Sequence, residues 1–328
     1  MPLAAIEDAR QRIAGQVLRT PMRHSLGLSR RCGAPVHLKL ENRQTTGSFK
    51  LRGATNAVLK LPAAARARGL VTVSTGNHGR ALSHAAAAQG VRCVVFMSSL
   101  VPANKVAAIR ALGAEIRITG RSQDEAEEAA VRLARAEGLT LVPPFDAPEI
   151  IAGQGTIGLE ILEDVPEAEL VLVPLSGGGL AAGIAAAVKA LRPQARVIGV
   201  SMARGAAMHA SLAAGRPVPV EELPTLADSL GGGIGLANRY TFTMARDLLD
   251  EVVLLSEEEI AAGIRHAHAA EQQVVEGAGA VAIAALLAGK VTPRGPAVLV
   301  VSGGNIDPAL HRRILEGAAL STPETRSA

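Results

Sequence analysis

The sequence is poor in aromatic residues and in cysteine, and both shortages exclude classes of protein. Aromatic residues make up 2% of the 328 residues, and there is no Trp. So few rings argue against the base stacking by which proteins bind single-stranded nucleic acid. Cys32 and Cys93 stand alone, without a CxxC pair or a Cys/His cluster. We therefore expect a reduced, cytoplasmic protein rather than a secreted one held together by disulfides.

Long hydrophobic runs and a strong charge of one sign are also missing. The most apolar stretch, residues 274–289, contains Glu276 and is too short to cross a bilayer. The N-terminus lacks the layout of a signal peptide. The 34 Lys+Arg exceed the 30 Asp+Glu to give a net charge of +4, and this excess is spread along the chain. We therefore predict neither a nucleic-acid partner nor a membrane partner.

What the sequence does contain is an alternation of short β-branched runs with Ala/Leu-rich segments of helical period. Strands are predicted at residues 71–73, 91–97, 115–119, 170–173, 196–200 and 298–301, and helices at residues 80–89, 104–112, 123–137 and 180–191. Ser256 followed by Glu259 predicts a capping box at the start of a further helix. This alternation predicts an α/β fold with mostly parallel sheets.

The rhythm of strands and helices stops near residues 142–146, where the sequence is Val-Pro-Pro-Phe-Asp. We interpret residues 66–145 as a small, mobile α/β domain, inserted in a larger domain made of residues 1–65 and 146–320. The polar residues 321–328 are expected to form a flexible tail.

Three predicted strands end in polar, glycine-rich turns. Residues 176–179 are Ser-Gly-Gly-Gly and lead into a helix, so backbone N–H groups can converge on an anion beside a positive helix end. Residues 74–79 are Ser-Thr-Gly-Asn-His-Gly, and residues 302–305 are Ser-Gly-Gly-Asn. Because ligands bind at the carboxyl ends of strands in open α/β sheets, the three turns are expected to face one crevice. The first turn is then a phosphate cradle.

A dinucleotide site is the rival interpretation of the first turn. Gly177, Gly179 and Ala182 satisfy the loose G-x-G-x-x-G/A pattern, which also needs an Asp or Glu at the end of the next strand to hold the ribose. Here that strand ends in Ser201 and Met202. We therefore prefer a phosphate monoester as the ligand.

Only 6 of the 34 basic residues are Lys, which shortens the search for an amine nucleophile. Lys39 falls in a predicted strand, and four others fall on helix faces or helix ends. Lys50 alone follows a Gly-Ser turn and Phe49 at the start of a predicted helix. The positive helix end and partial burial would lower the pKa of its amine and leave it nucleophilic. A nucleophilic Lys combined with a phosphate cradle points to pyridoxal phosphate, whose chemistry needs both.

Four motifs carry a resemblance to a known family. The motifs at residues 46–54 (T-G-S-F-K-L-R-G-A), 74–79, 176–180 and 302–305 resemble, in order, those of fold-type II pyridoxal-phosphate enzymes. The threonine/serine dehydratase and serine racemase family is the most similar branch, with a likeness over residues 19–307. Residues 100–105, 201–208 and 228–235 look like those of the hydroxyectoine-utilisation dehydratases within it. The resemblance implies two open, twisted, mostly parallel sheets flanked by helices, and a homodimer.

The resemblance also implies a role for each motif residue. Lys50 would bond covalently to the cofactor and take the Cα proton of the substrate. The cofactor-binding residues would be Phe49 beside the pyridine ring, Asn77 at the ring 3-oxygen, Gly177, Gly178, Gly179 and Leu180 at the phosphate, Ser302 at the ring nitrogen and Glu276 near the ring. For Glu276 a helix-cap role is an equal alternative. Ser74, Asn77 and His78 are expected to bind the carboxylate of an amino-acid substrate.

The implied activity is that of a dehydratase, or ammonia-lyase, that removes the β-hydroxyl of a β-hydroxy α-amino acid and yields a 2-oxo acid and ammonia. Two alternatives stay open. One is an amino-acid racemase with Lys50 and Thr75 as catalytic groups on opposite faces; the other is a non-catalytic ligand-binding relative. Several family members bind a divalent cation through a Glu and an Asp, but Ser201 and Ala207 stand at those places, so no metal is expected.

Overall fold

A computed structural model of the chain describes residues 1–74, 76–99, 101, 103–121 and 123–317. Thr75, which the racemase alternative requires, lies outside these residues, and so does the predicted tail at residues 321–328. Everything below refers to the part of the chain that the structure describes.

Strands and helices alternate along the chain. The strands are β1 (Met22–His24), β2 (Val36–Leu40), β3 (Leu70–Val73), β4 (Cys93–Met97), β5 (Glu115–Ile118), β6 (Thr140–Leu141), β7 (Leu170–Pro174), β8 (Arg196–Met202), β9 (Glu251–Leu255) and β10 (Ala297–Val301). The helices are α1 (Leu3–Ile13), α2 (Leu26–Cys32), α3 (Lys50–Lys60), α4 (Ala63–Arg68), α5 (Asn77–Ala88), α6 (Ala103–Arg110), α7 (Gln123–Glu137), α8 (Pro148–Asp164), α9 (Gly179–Leu191), α10 (Ala207–Ala214), α11 (Thr241–Leu248), α12 (Glu257–Ala269), α13 (Gly277–Leu287) and α14 (Pro308–Leu315). Short 3-10 turns occur at Glu41–Arg43 and Asp228–Leu230.

The strands form two sheets, both mostly parallel. The larger sheet has 6 strands in the order β1-β2-β10-β7-β8-β9, and its one antiparallel pairing is β1 with β2. The smaller sheet has 4 strands in the order β5-β4-β3-β6, all parallel. The predicted α/β class with two mostly parallel sheets is confirmed.

The central strands of the larger sheet bury both of their faces. In β7, Leu170 and Leu172 pack on the side of α12 and α13, whereas Val171 and Val173 pack on the side of α8, α9 and α11. Successive side chains of a strand point to opposite faces, so a strand covered on both sides needs an unbroken apolar run. For this reason the run Leu-Val-Leu-Val predicts a buried parallel strand.

The smaller sheet is covered in the same way. Val95 and Met97 of β4 pack towards α5, and Val94 and Phe96 pack towards α7. All 4 strands of this sheet fall inside the residues predicted as the small domain. The boundaries and the mobility of that domain stay a prediction.

Every predicted strand and helix has a counterpart in the structure, but several helices, among them α8, and three strands were not predicted. Each predicted strand corresponds to an observed one with ends shifted by one or two residues, and the capping box of Ser256 and Glu259 is confirmed. The sequence did not predict β1, β6 or β9. β1 and β6 have 3 and 2 residues, too few to show a period. Among the described helices, none is long and apolar enough to cross a membrane.

Candidate active site

Lys50 is the first residue of α3, and its turn meets the turn that follows β10. Ser48 forms an isolated antiparallel bridge with Gly303, and the N–H of Phe49 donates to the carbonyl of Ser302 at 3.0 Å. Two of the motifs recognised in the sequence are therefore in direct contact, at the carboxyl edge of the larger sheet.

The amine of Lys50 is partly buried between a backbone carbonyl and an aromatic ring. Its Nζ donates to the carbonyl of Pro144 at 2.7 Å and lies 5.2 Å from the centre of the Phe49 ring. Burial lowers the pKa of Lys50 from 10.5 to about 8, and the nearby carboxylate of Glu276 opposes that shift. Near pH 8 a large fraction of this side chain is therefore the free amine, the form that attacks carbonyl carbon.

The glycine turn after β7 has the geometry of an anion cradle. Gly178 has φ 90°, in the left-handed region, and α9 begins at Gly179. Within the described chain, the N–H groups of Gly177, Gly178 and Gly179 donate to no protein acceptor. Unpaired N–H groups at the start of a 13-residue helix attract a negative ligand such as a phosphate.

The segment between β6 and α8 connects Lys50 to the glycine turn. A Cβ atom built on Gly177 would lie 2.4 Å from the Phe145 ring, so that ring lies directly against the turn. The preceding carbonyl, of Pro144, is the acceptor for Lys50. Pro144 therefore contacts the amine and Phe145 contacts the glycine turn, so the two groups are close enough to belong to one site for a phosphorylated ligand.

The turn after β3 supplies further polar groups, among them Ser74 and His78. The Ser74 hydroxyl accepts from the N–H of Gly79 at 2.9 Å and of Gly76 at 3.3 Å, so it caps the first turn of α5. His78 Nε2 lies 3.1 Å from the carbonyl of Val142. Because a carbonyl only accepts, Nε2 carries the proton there and Nδ1 is left as an acceptor.

Burial, and secondarily the charge of Lys50, lowers the pKa of His78 to about 3. The ring is therefore neutral at physiological pH and brings no positive charge to the site. That Ser74, Asn77 and His78 bind a substrate carboxylate stays a prediction. In the structure the hydrogen-bond partner of His78 is the Val142 carbonyl.

The side chains of Asn77 and Glu276 form a hydrogen bond that joins α5, beside the smaller sheet, to the start of α13, beside the larger sheet. Asn77 is the first residue of α5, and its Nδ2 donates to Glu276 Oε1 at 2.7 Å. Glu276 stands at the N-cap position of α13, but its side chain makes no capping hydrogen bond. Glu276 therefore occupies the helix-cap position, as one alternative predicted, but its carboxylate is directed to Asn77 and, by its effect on the pKa, to Lys50.

Ser302 is buried at the end of β10, with 2% of its surface exposed. Its Oγ donates to the carbonyl of Ala278 at 3.3 Å, a long hydrogen bond that a better acceptor could replace. Ser48, close to Lys50 in the same turn, is fully buried, and its hydroxyl has no partner among the described residues. Leu180 follows the glycine turn in the first turn of α9.

Three groups at the site had no role assigned from the sequence. Pro144 and Phe145 fall in the stretch where the strand–helix rhythm stops, which marked a boundary but not a contact. Asn305 belongs to the Ser-Gly-Gly-Asn motif, and its Nδ2 donates to Asn77 Oδ1 at 2.6 Å. Only the motif itself signalled Asn305, because its partner lies 228 residues away in the chain.

The residues present fit a phosphorylated aldehyde cofactor rather than a metal ion. The amine of Lys50 suits an aldehyde, and the unpaired N–H groups of the glycine turn suit a phosphate. The buried Ser48 hydroxyl, which has no partner among the described residues, suits a polar ring. At the two positions where the family resemblance would put cation ligands, Ser201 is buried with its hydroxyl 3.4 Å from Met202 Sδ, and Ala207 begins α10. In the described chain, no three or more His, Cys, Asp or Glu are grouped to hold a metal.

The fold and the site together define an α/β enzyme whose candidate site for a phosphorylated cofactor combines a Lys with a glycine turn. Residues 13–303 match the model of the family of pyridoxal-phosphate-dependent enzymes, and the chain belongs to that family. Its cofactor is pyridoxal phosphate.

Individual relatives align with nearly the whole chain. A protein of Sinorhizobium fredii is 61% identical over 325 residues, which cover 99% of this chain and 98% of that protein. The L-threonine ammonia-lyase of Geobacter sulfurreducens is 45% identical over 308 residues, covering 94% of this chain and 76% of that enzyme. The structure of maize serine racemase superposes with a TM-score of 0.90 at 31% identity, covering 96% of this chain and 97% of that one.

Proposed function

We propose that this protein is a pyridoxal-phosphate-dependent dehydratase that converts a β-hydroxy α-amino acid into a 2-oxo acid and ammonia. The observation that carries the proposal is Lys50, an amine with its pKa lowered to about 8, placed beside a glycine cradle. The similarity to an L-threonine ammonia-lyase over 94% of the chain supports this reaction class. Threonine, serine, a hydroxyaspartate and an intermediate of hydroxyectoine breakdown are the candidate substrates.

The protein's own groups divide the work of this reaction. When bound, pyridoxal phosphate supplies an aldehyde for the amine and a ring that accepts electrons from the substrate Cα. The N–H groups of Gly177, Gly178 and Gly179 bind its phosphate, with Leu180 beside them. Lys50 Nζ, as the free amine, takes the Cα proton and hands a proton to the departing hydroxyl. The water lost there is regained when the released unsaturated amine is hydrolysed, so the net products are the 2-oxo acid and ammonia.

The remaining residues orient the cofactor and the substrate. With the cofactor bound, Phe49 would pack beside its ring, the Ser302 hydroxyl would donate a hydrogen bond to the ring nitrogen, and Asn77 would donate one to the ring 3-oxygen. A hydroxyl, unlike a carboxylate, does not force the ring nitrogen to be protonated, which favours early loss of the β-substituent. The Ser74 hydroxyl, whose oxygen already accepts from α5, still has its proton to donate to a substrate carboxylate.

The test is the release of ammonia and 2-oxo acid from each candidate substrate by the wild type, Lys50→Ala and Lys60→Ala. Lys60 is an exposed Lys paired with Glu149, so its removal is the matched control. We expect turnover of at least one β-hydroxy amino acid, no turnover with Lys50→Ala and near-normal turnover with Lys60→Ala. Full activity of Lys50→Ala would overturn the proposal.

A racemase is the second candidate, favoured by the similarity to maize serine racemase. The same incubations decide it when the enantiomer of the substrate is measured beside the 2-oxo acid. Enantiomer without 2-oxo acid would favour the racemase, with Thr75 as the second catalytic group. A cofactor absorbance that shifts on substrate addition without turnover would favour a ligand-binding relative.

We also propose that residues 66–145 move as one small domain that brings Ser74 and His78 to the substrate. Support comes from the smaller sheet, whose strands all lie within these residues. A cytoplasmic homodimer, as implied by the family resemblance, is the further expectation, and light scattering of the purified protein tests the dimer.

A further inference from the structure

A chain of three polar side chains crosses from the larger sheet to the smaller one at the candidate site. Asn305, after β10, donates through Nδ2 to the carbonyl of Thr46 at 2.9 Å and to Asn77 Oδ1 at 2.6 Å. Asn77 Nδ2 in turn donates to Glu276 Oε1 at 2.7 Å. No role for Asn305 follows from the sequence.

The direction of this chain is determined by its two ends. A backbone carbonyl only accepts hydrogen bonds, so the Asn305 atom that faces Thr46 must be the amide nitrogen. The same nitrogen faces Asn77, which must therefore present its oxygen. That leaves the Asn77 nitrogen towards Glu276, whose carboxylate again only accepts. The acceptors at both ends thus exclude the flipped amide at Asn305 and at Asn77.

Two further contacts hold Asn305 in this orientation. Its Oδ1 lies 3.5 Å from Arg80 Nη1, a group that only donates. The same oxygen lies against Gly47, where a Cβ would approach it to 2.5 Å. Gly47 also has φ 77°, so a side chain is excluded there both by strain and by contact. Asn305 is therefore fixed by its neighbours rather than by Asn77 alone.

We propose that Asn305 is a positioning residue that fixes which amide atom Asn77 presents. With Oδ1 bound to Asn305 and one Nδ2 proton bound to Glu276, Asn77 keeps its second Nδ2 proton for an acceptor in the site. This inference rests on the proposed function, in which that acceptor is the ring 3-oxygen of pyridoxal phosphate. In this proposal Asn305 acts on the cofactor through Asn77 rather than by contact of its own.

The decisive substitution is Asn305→Asp, which keeps the size of the side chain and removes both donors. A carboxylate there faces two acceptors, Thr46 O and Asn77 Oδ1. Turning the Asn77 amide would relieve the second conflict only by pointing its Oδ1 at the Glu276 carboxylate, so neither orientation of Asn77 satisfies both neighbours and its Nδ2 proton is no longer held for the ring oxygen. Asn305→Ala removes the donors without introducing this conflict, so its effect is smaller.

The measurement is equilibrium dialysis of the full-length protein against graded concentrations of pyridoxal phosphate, with the visible spectrum of the bound cofactor as a second readout. We expect Asn305→Asp to weaken binding roughly tenfold to a hundredfold, the range for a lost hydrogen bond to a polar ring oxygen. We expect a smaller loss for Asn305→Ala and a shifted spectrum for Asn305→Asp, because the spectrum reports bonding at the ring oxygen. If Asn305→Asp does not fold, Asn305→Leu removes the same donors and is expected to show the smaller loss of Asn305→Ala, and unchanged cofactor affinity in Asn305→Leu would equally overturn the inference.

The matched control is Asn56→Asp, on the same helix as Lys50. Asn56 is also a buried amide that donates to a carbonyl, of Glu149, and accepts from Arg12, but it does not contact Asn77. The affinity of the Asn56→Asp variant for pyridoxal phosphate should equal that of the wild type. Unchanged affinity and spectrum in Asn305→Asp, or a loss in Asn305→Ala as large as in Asn305→Asp, would overturn this inference alone. Wild-type protein that binds no pyridoxal phosphate would instead overturn the proposed function and this inference with it.

Discussion

At the scale of single residues, two bases of the site, the partly buried Lys50 and the buried His78, have lowered pKa values for the same reason. Desolvation lowers the pKa of Lys50 to about 8 and that of His78 to about 3, and the charge of Lys50 adds to the second shift. The carboxylate of Glu276 works against the shift at Lys50. The nucleophilicity of Lys50 is therefore set by a balance between burial and a carboxylate.

The Glu276→Gln substitution should shift this balance. Without the negative charge the ammonium form loses its stabilisation, so the pKa of Lys50 falls below about 8. The measurement is the rate at which pyridoxal phosphate attaches to the cofactor-free protein as a function of pH. The rate rises with pH through the Lys50 pKa, because only the free amine reacts.

We expect the inflection of this pH profile near pH 8 in the wild type and at lower pH in Glu276→Gln. Glu149→Gln is the control, since Glu149 pairs with the exposed Lys60. An unchanged or higher inflection in Glu276→Gln would show that Glu276 does not act on Lys50.

The Gly178→Ala substitution tests the phosphate cradle. At φ 90° a Cβ is strained, and it would also approach Met208 Cε to 2.8 Å and Thr241 Cβ to 3.0 Å. The strain alone costs about 1–2 kcal/mol. We expect a lower free energy of unfolding, measured with urea, together with a weaker affinity for pyridoxal phosphate.

Gly215→Ala is the matched control for this substitution. Gly215 has φ 70° at the end of α10, and a Cβ atom placed on it would have no neighbour within 4 Å among the described residues. The Gly215→Ala variant should lose a similar free energy of unfolding from backbone strain and keep the wild-type affinity for pyridoxal phosphate. Equal cofactor affinity in both variants would contradict the assignment of the cradle.

At the scale of secondary-structure elements, α3 is anchored by a buried group of charges just beyond Lys50. Arg52, 1% exposed, forms paired hydrogen bonds with Glu41 and with Glu160, and Lys39 binds Glu160 at 2.6 Å. Burial by itself would lower the pKa of Arg52, but the two carboxylates raise it above its ordinary value. Two cations and two anions thus compensate each other and join β2, α3 and α8.

The Arg52→Met substitution should be strongly destabilising. It leaves two buried carboxylates with Lys39 as the only cation of the group, and breaking a buried ion pair on one side costs about 3–5 kcal/mol. Arg196→Met is the control, because the Arg196–Glu251 pair is about half exposed and contributes under about 1 kcal/mol. Urea unfolding of both variants measures the difference, and equal losses would mean that the buried group does not anchor α3.

At the scale of the whole molecule, the segment between β6 and α8 contacts both sheets' sides of the candidate site. Val142 O binds Thr72 and His78 on the side of the smaller sheet, and Pro144 O binds Lys50 on the other. Asp146 accepts from the backbone N–H groups at the start of α11: Arg239, Tyr240 and Thr241. One crossover segment therefore contacts the lysine, the small sheet and a helix beside the cradle.

The Asp146→Ala substitution should loosen this segment. It removes the acceptor for N–H groups at a helix start, which costs about 0.5–2 kcal/mol of unfolding free energy. Because Phe145 lies against Gly177, we also expect faster release of pyridoxal phosphate, measured by dilution of the loaded protein. Ser256→Ala, which removes the cap of α12, is the control and should lose stability without faster release. Equal release rates in the two variants would contradict the proposed coupling.

The sequence by itself determined the class of fold, and it singled out Lys50 and the glycine turn at residues 177–179 as the candidate site residues. These depend on local order: apolar runs make buried strands, and glycines after a strand leave N–H groups free for an anion. Only the tertiary structure decided that Pro144 binds Lys50 from 94 residues away and that Asn305 binds Asn77 from 228 residues away. It also paired Arg52 with Glu160, because contacts between crossover-connected elements depend on how the sheets are assembled rather than on spacing along the chain.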